Sequence, residues 1–264
     1  MLAGCRFAYA QARLQARYSE LPNEADWQRL SATRSLSGWL EEARSGALKD
    51  WVKGFSANSD SHDIERGLRA QFVDTVEQVA RYLPALWRDA VLWCRWLPLL
   101  GLFDHLRSGA ALPGWVSRDY RLASLVDGGG IDLAAARQAG IDVLLSGEGA
   151  DLQWLDGWRQ RWPRCRRDYL ETVDALAVRC AAHLDAFRRS PPDKTWPLRR
   201  ALRERLRLEF HLRLLQPAAV FIFLTLVALD LERLRRALLD RALFPAELST
   251  ELPVQADQPS RRAA

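Results

Sequence analysis

Lysine is nearly missing from this chain of 264 residues: Lys49, Lys53 and Lys194 are the only three among 38 basic residues. The excess of arginine, with abundant Ala and Leu, is the composition of a GC-rich bacterial genome. It does not mark an arginine-rich binding motif, because most arginines have acidic neighbours at helical spacing and the net charge is only +5. The four cysteines, Cys5, Cys94, Cys165 and Cys180, form no CxxC. On one continuous helix Cys165 and Cys180 would stand about 22 Å apart, too far for a disulfide or a shared metal. Such spacing points to idle thiols in a reducing cytoplasm. The first sixteen residues contain scattered arginines and no apolar run, which argues against a secretory signal.

Long hydrophobic runs are also lacking. The longest uncharged apolar stretch, Pro217 to Leu229, has 13 residues and stops against Asp230 and Glu232. A membrane-spanning helix needs about 20. The stretch therefore reads as a helix buried on all sides within a protein, with peripheral membrane contact left open.

Catalytic signatures are missing as well. Asp127-Gly-Gly-Gly130 follows neither the dinucleotide nor the phosphate-loop order and reads as a turn. The pairs Ser37-Gly38, Ser45-Gly46, Ser108-Gly109 and Ser146-Gly147 are not flanked as a nucleophile elbow, and read as helix C-termini and loops. His62, His105, His183 and His211 show no metal-binding spacing. No cofactor, metal or small-molecule substrate is expected, and no enzyme activity.

What is present is helical periodicity. Leu36, Trp39, Leu40 and Ala43 recur at i, i+3, i+4, i+7, and Leu48, Trp51, Val52 and Phe55 repeat the pattern. Pro22-Asn23 supplies a stop and an N-cap. After the polar stretch Ser56–Ser61, the residues Ile64, Leu68, Phe72, Val76, Val79 and Leu83 line one face of a helix that Pro84 ends or kinks. Leu86–Leu100 reads as a further helix, apolar nearly all round. A long helix is expected from Asp151 through Pro163 to Phe187, then a break at Pro191-Pro192, then a helix marked by Leu198, Leu202, Leu206, Phe210 and Leu215. The apolar run and Asp230–Leu243 form the last. Glu65 with Arg69 and Glu232 with Arg236 are expected as i,i+4 surface pairs. No stretch alternates as a strand does.

The expected fold class is all-α: two related-looking helical units, residues 1–108 and 151–245, joined by a Gly/Pro-rich acidic insertion or linker at 109–150, with a disordered tail at 246–264. A short helix, Leu133–Gln138, is expected inside the linker. Residues 118–156 carry seven acids against three arginines, and residues 158–213 fifteen basic residues against seven acids, so neighbouring segments have opposite sign. Segments 63–72 and 230–239 match at five positions of ten, a hint of duplication.

Eleven tryptophans are mainly core material. Some are candidates to anchor an interface: Trp115 with Arg118 in the linker, and Trp158 with Arg159 and Arg161. The Trp/Arg interleaving could stack on RNA, but no RNA-binding motif accompanies it, so no nucleic-acid partner is expected.

Tyr9, Ala12, Arg13 and Leu14 stand in the arrangement that opens the C/d subunits of V-type and A-type rotary ATPases, followed by leucines at 30, 36, 40 and 48. Near the end, Asp230-Leu-Glu-Arg-Leu-Arg235 is similar to the family's acid-Ile-x-Asn-Leu-Arg. The chain is shorter than a typical member, an aspartate replaces the usual glutamate, and Arg233 replaces the asparagine. The resemblance covers roughly the first hundred residues and the last forty. It implies a funnel of short helices, a non-catalytic connecting subunit joining a membrane rotor ring to a central shaft, ion or proton transport as the setting, and a cytoplasmic location peripheral to the inner membrane. It assigns no site residue. The alternative is an unrelated helical adaptor in a bacterial cytoplasmic complex.

Overall fold

The computed structural model describes residues 2–119, 121–127, 130–147 and 149–244, and the expected tail at 246–264 lies outside them. The described chain is all-α, 75% helical with one minimal sheet. The helices are α1 (Leu2–Ser19), α2 (Glu24–Ser31), α3 (Leu36–Arg44), α4 (Lys49–Val52), α5 (Ser61–Tyr82), α6 (Ala85–Trp93), α7 (Leu100–Arg107), α8 (Leu133–Gln138), α9 (Ala150–Gln160), α10 (Arg167–Arg189), α11 (Pro192–Leu212) and α12 (Pro217–Leu243). Strands β1 (Val126–Asp127) and β2 (Gly130–Ile131) pair antiparallel, Val126 opposite Ile131.

Local chemistry explains the boundaries. The Asn23 side chain accepts from the Ala25 and Asp26 amides while Asp26 accepts from the Asn23 amide, a reciprocal cap that starts α2. Asp60 accepts from the Asp63 amide and starts α5. Pro192 and Pro217 open α11 and α12, where a missing N–H costs nothing. Gly109, with φ +75, lies just beyond the end of α7 in the left-handed region that glycine tolerates.

Proline also corrects two expected helices. Residues 86–100 do not form one helix: α6 passes into a 3-10 segment, Cys94–Leu99, containing Pro98, before α7 begins. The long helix through Pro163 is likewise two, α9 and α10, because proline donates no bond and its ring clashes with the preceding turn. Ser37-Gly38 lies in the first turn of α3, not at a helix C-terminus or in a loop.

α12 is the axis of the molecule. Every residue from Pro217 to Leu224 is buried, as are Leu226, Val227, Leu231, Leu234 and Leu238. It packs along α5, α10 and α11, with α1 against it. Its N-terminal half is enclosed on all sides and needs no polar face, whereas Arg236 and Asp240 in its C-terminal half are exposed. Each fully buried Leu or Phe contributes about 1.5–3 kcal/mol, so this helix carries much of the core.

One apolar cluster runs from Phe7 to Leu238. Residues on both sides of the 109–150 stretch, from Phe7 to Phe103 and from Trp158 to Leu238, contribute to this cluster. The stretch 109–150 belongs to it too, through buried Val116, Leu122, Leu125, Ala136, Ile141 and Leu144. The helices that flank it are tied to one another. Trp93 and Trp154 exchange indole-to-carbonyl bonds at 2.9 and 3.2 Å, and Asp104 on α7 accepts from the Ala150 amide at 2.9 Å, capping α9. The helix expected at Leu133–Gln138 is α8.

Candidate functional site

The expected interface residues fall into different environments. Trp158 is 4% exposed, between Trp154, Trp162 and Phe221 with ring centroids 4.9–5.5 Å away, so it is a core residue and not a surface anchor. The inward face of α9 meets α12 there. Arg161 lies over Trp93 at 3.7 Å and donates to the Gly157 carbonyl at 2.7 Å, locking α9 to α6 rather than offering a free cation. Arg159 is exposed and ties α9 to α10 through Asp174 at 2.7 Å. Arg118 is exposed at the end of a 3-10 turn.

Trp115 is half-buried and borders a cleft of about 300 Å³, walled by Arg69, Pro98, Leu102, His105, Pro113 and Trp115 over Gly101. Three local features shape it. Gly101 leaves the floor open, since a Cβ there would meet nothing within 4 Å. Pro98 keeps the chain in its 3-10 turn. His105 holds the loop by hydrogen-bonding through Nε2 to the Ala111 carbonyl at 3.1 Å.

The Arg69 guanidinium lies 4.2 Å from the centre of the Trp115 ring. Its nearest carboxylate oxygen among the described residues is Glu65 Oε2 at 3.9 Å, while Glu65 Oε1 is held by Arg235 Nε at 2.6 Å. The expected Glu65–Arg69 pair is therefore loose, and Glu65 mainly joins α5 to α12. Arg69 Nε is buried without a hydrogen-bond partner among the described residues. Burial pushes the Arg69 pKa down, opposed by Glu65 and Asp119, and the group stays charged at neutral pH.

A second polar cluster surrounds the fully buried Asp230. Arg203, 7% exposed, grips it with Nε to Oδ1 at 2.7 Å and Nη2 to Oδ2 at 3.0 Å, and Nη2 also donates to the Pro22 carbonyl at 2.6 Å. Burial pushes the Asp230 carboxyl pKa above its usual range, against the opposing pull of Arg203. Next to it Arg233, at 4.7 and 4.6 Å from the ring centres of Trp27 and Trp196, forks onto Glu24 at 2.8 and 3.0 Å. Asp230, Arg233 and Arg235 thus tie α12 to α11, α2 and α5. The expected Glu232–Arg236 pair is replaced by Glu232–Arg199 at 3.5 Å and Arg236–Asp240 at 3.6 Å.

The third feature is apolar. Leu208 and Leu212, on one face of α11, are 69% and 75% exposed, and Leu214 and Leu215 follow at 49% and 43%. Leu215 has φ +61, so the turn into α12 holds a leucine in the left-handed region, with its amide donating to Gln11 at 3.1 Å. The sequence held a signal for this patch, since Leu208 and Leu212 fall off the face set by Leu202, Leu206 and Phe210. Arg203 gave none, and Arg69 showed only its local pairing with Glu65, because Trp115, Asp230 and Pro22 lie far away in sequence.

Among the described residues no group of three or more His, Cys, Asp or Glu side chains is gathered where a metal could be held. No helix there is long and apolar enough to cross a membrane. Comparison with known protein families, with curated proteins and with solved structures yields no match.

Proposed function

We propose that this chain is a non-catalytic helical adaptor that holds partner proteins through the leucine patch at the end of α11. The observation that carries this reading is the exposure of four leucines, Leu208, Leu212, Leu214 and Leu215, within eight residues. Apolar side chains grouped on a surface mark interaction sites more often than polar ones do. Arg205 and Arg207 beside the patch are paired with Glu209 at 3.3 Å and Glu204 at 3.9 Å, so charge there is balanced and the partner that fits is a helix with an apolar stripe. Stable association buries on the order of 800 Å² per partner, more than four leucines supply, so neighbouring surface must join.

The more specific form of this proposal is a connecting subunit of a V/A-type rotary ATPase-like membrane complex, linking rotor ring and central shaft from the cytoplasmic side of the inner membrane. It rests on the arrangement at Tyr9–Leu14 and Asp230–Arg235.

The test is affinity purification from native membranes at low salt, with mass spectrometry, of the wild-type chain and the double variant L208E/L212E. Both leucines are exposed, so the variant is expected to fold and to lose its partners at least tenfold. Ring, shaft or catalytic ATPase subunits among the partners support the rotary form. Other proteins lost in the variant support the adaptor reading alone. Partners recovered equally by both chains, or a turnover abolished by a single His or Asp substitution, overturn it.

A further inference from the structure

The cleft between α5, α7 and the loop around Trp115 lies apart from the leucine patch and has its own chemistry. Among the described residues its charged wall is Arg69, a guanidinium with a ring against one face and no carboxylate oxygen of those residues nearer than 3.9 Å. The other nearby acid, Asp119, is already gripped by Arg121 through Nε at 3.1 Å and Nη2 at 2.9 Å. The remaining walls are Pro98, Leu102, Pro113 and the Trp115 indole, with His105 at the edge. We propose that this cleft binds a carboxylate carried on an apolar body, the acid group on Arg69 and the body between Trp115 and the two prolines.

The chemistry selects this class over its rivals. A planar carboxylate matches the edge of a guanidinium whose face is already occupied, and a charge-assisted bond of this kind is strong where water is partly excluded. A cation would meet Arg69 unfavourably. A phosphate, with more charge than one arginine neutralises and Glu65 close by, fits less well. A wholly apolar ligand would leave the Arg69 donors unmatched. At about 300 Å³ the space is at the lower end of ligand pockets and suits one ring or one short side chain. Two sources share this chemistry: a free aromatic acid, and an acidic residue beside an apolar one in a partner peptide.

Calorimetric or saturation-transfer titration of the full chain would use three probes: phenylacetate, its neutral isostere phenylacetamide, and a capped Pro-Phe-Glu peptide. Phenylacetate or the peptide is expected to bind in the millimolar range or tighter, and whichever binds more tightly identifies the source. Phenylacetamide is expected to bind at least tenfold more weakly. R69Q should erase the difference between acid and amide. Because R69Q could disturb folding, G101L gives a second reading: its side chain enters open space on the cleft floor and should abolish binding while the helical circular dichroism stays unchanged. Equal binding of acid and amide, undiminished binding by G101L, or no binding of either acid by wild type would overturn the assignment. None of these outcomes bears on the leucine patch, whose test reads protein partners.

Discussion

Asp230 has no contact with solvent, yet its carboxylate and Arg203 form a two-pronged pair in the core. Removing both ions from water is expensive, so the pair adds little net stability, but breaking it leaves an unmatched buried charge. Asp230→Ala is expected to destabilise by about 3–5 kcal/mol in urea unfolding. The double replacement Arg203→Met with Asp230→Leu should recover at least half of that loss. A D230A loss no larger than that of a surface variant would show that the pair is water-screened. Glu24 behaves differently. The Arg233 hydrogen bonds hold its carboxyl below the usual glutamate range, with burial acting the other way. A lowered folded-state pKa stabilises at pH above the unfolded value of about 4.3, and that contribution disappears as pH falls through the folded value. Glu24 keeps 30% of its side-chain surface exposed, so screening limits the contribution to about 1 kcal/mol or less. Glu24→Gln is therefore expected to lower the urea midpoint slightly at pH 7, and by progressively less as pH falls below the unfolded value of about 4.3. A loss that stays constant with pH would place the effect in packing.

At the scale of elements, glycines in two helices separate packing from propensity. Gly67 lies within α5 where a Cβ would stand 2.6 and 2.8 Å from the buried Phe55 ring. Gly101 on α7 faces open space. Helix propensity alone favours alanine over glycine by about 1 kcal/mol at both sites. Overpacking of the Phe55 ring costs about 1–3 kcal/mol and should win at the first site. Gly67→Ala is thus expected to lower the thermal midpoint, and Gly101→Ala to leave it equal or slightly raised. Two equal shifts would refute the close approach of α4's trailing loop to α5. The breaks at Pro98 and Pro163 belong to this scale as well. Each was visible as a proline, but whether proline bends a helix or ends it depends on what packs around the gap.

At the scale of the whole molecule, the apolar cluster joins α1 to α12 and includes the 109–150 stretch. The chain is therefore expected to unfold in one cooperative calorimetric transition, with van't Hoff and calorimetric enthalpies in agreement. Two resolved transitions would mean that residues 1–108 and 151–245 fold as separate units despite α12 lying along α5. The paired segments 63–72 and 230–239 bear on the same point. They lie on α5 and α12, which pack side by side, and Arg235 reaches across to Glu65 at 2.6 Å. Neighbouring buried helices tied by an ion pair need apolar and charged residues at related intervals, with or without duplication.

The all-α class, most helix starts, the short α8 and the burial of Pro217–Leu229 were legible in the sequence. Each follows from interactions within about four residues or from a period of 3.6, and such information travels with the chain wherever it folds. The buried Trp158, the Arg69 cleft and the Asp230–Arg203 pair were not legible. Those depend on which helix faces meet: Arg69 and Trp115 are 46 positions apart, and Pro22 and Arg203 are 181 apart. A pattern of apolar positions specifies that a face will be buried. The partner is selected by the fit of many weak contacts summed over the whole core, a property that only the tertiary structure possesses.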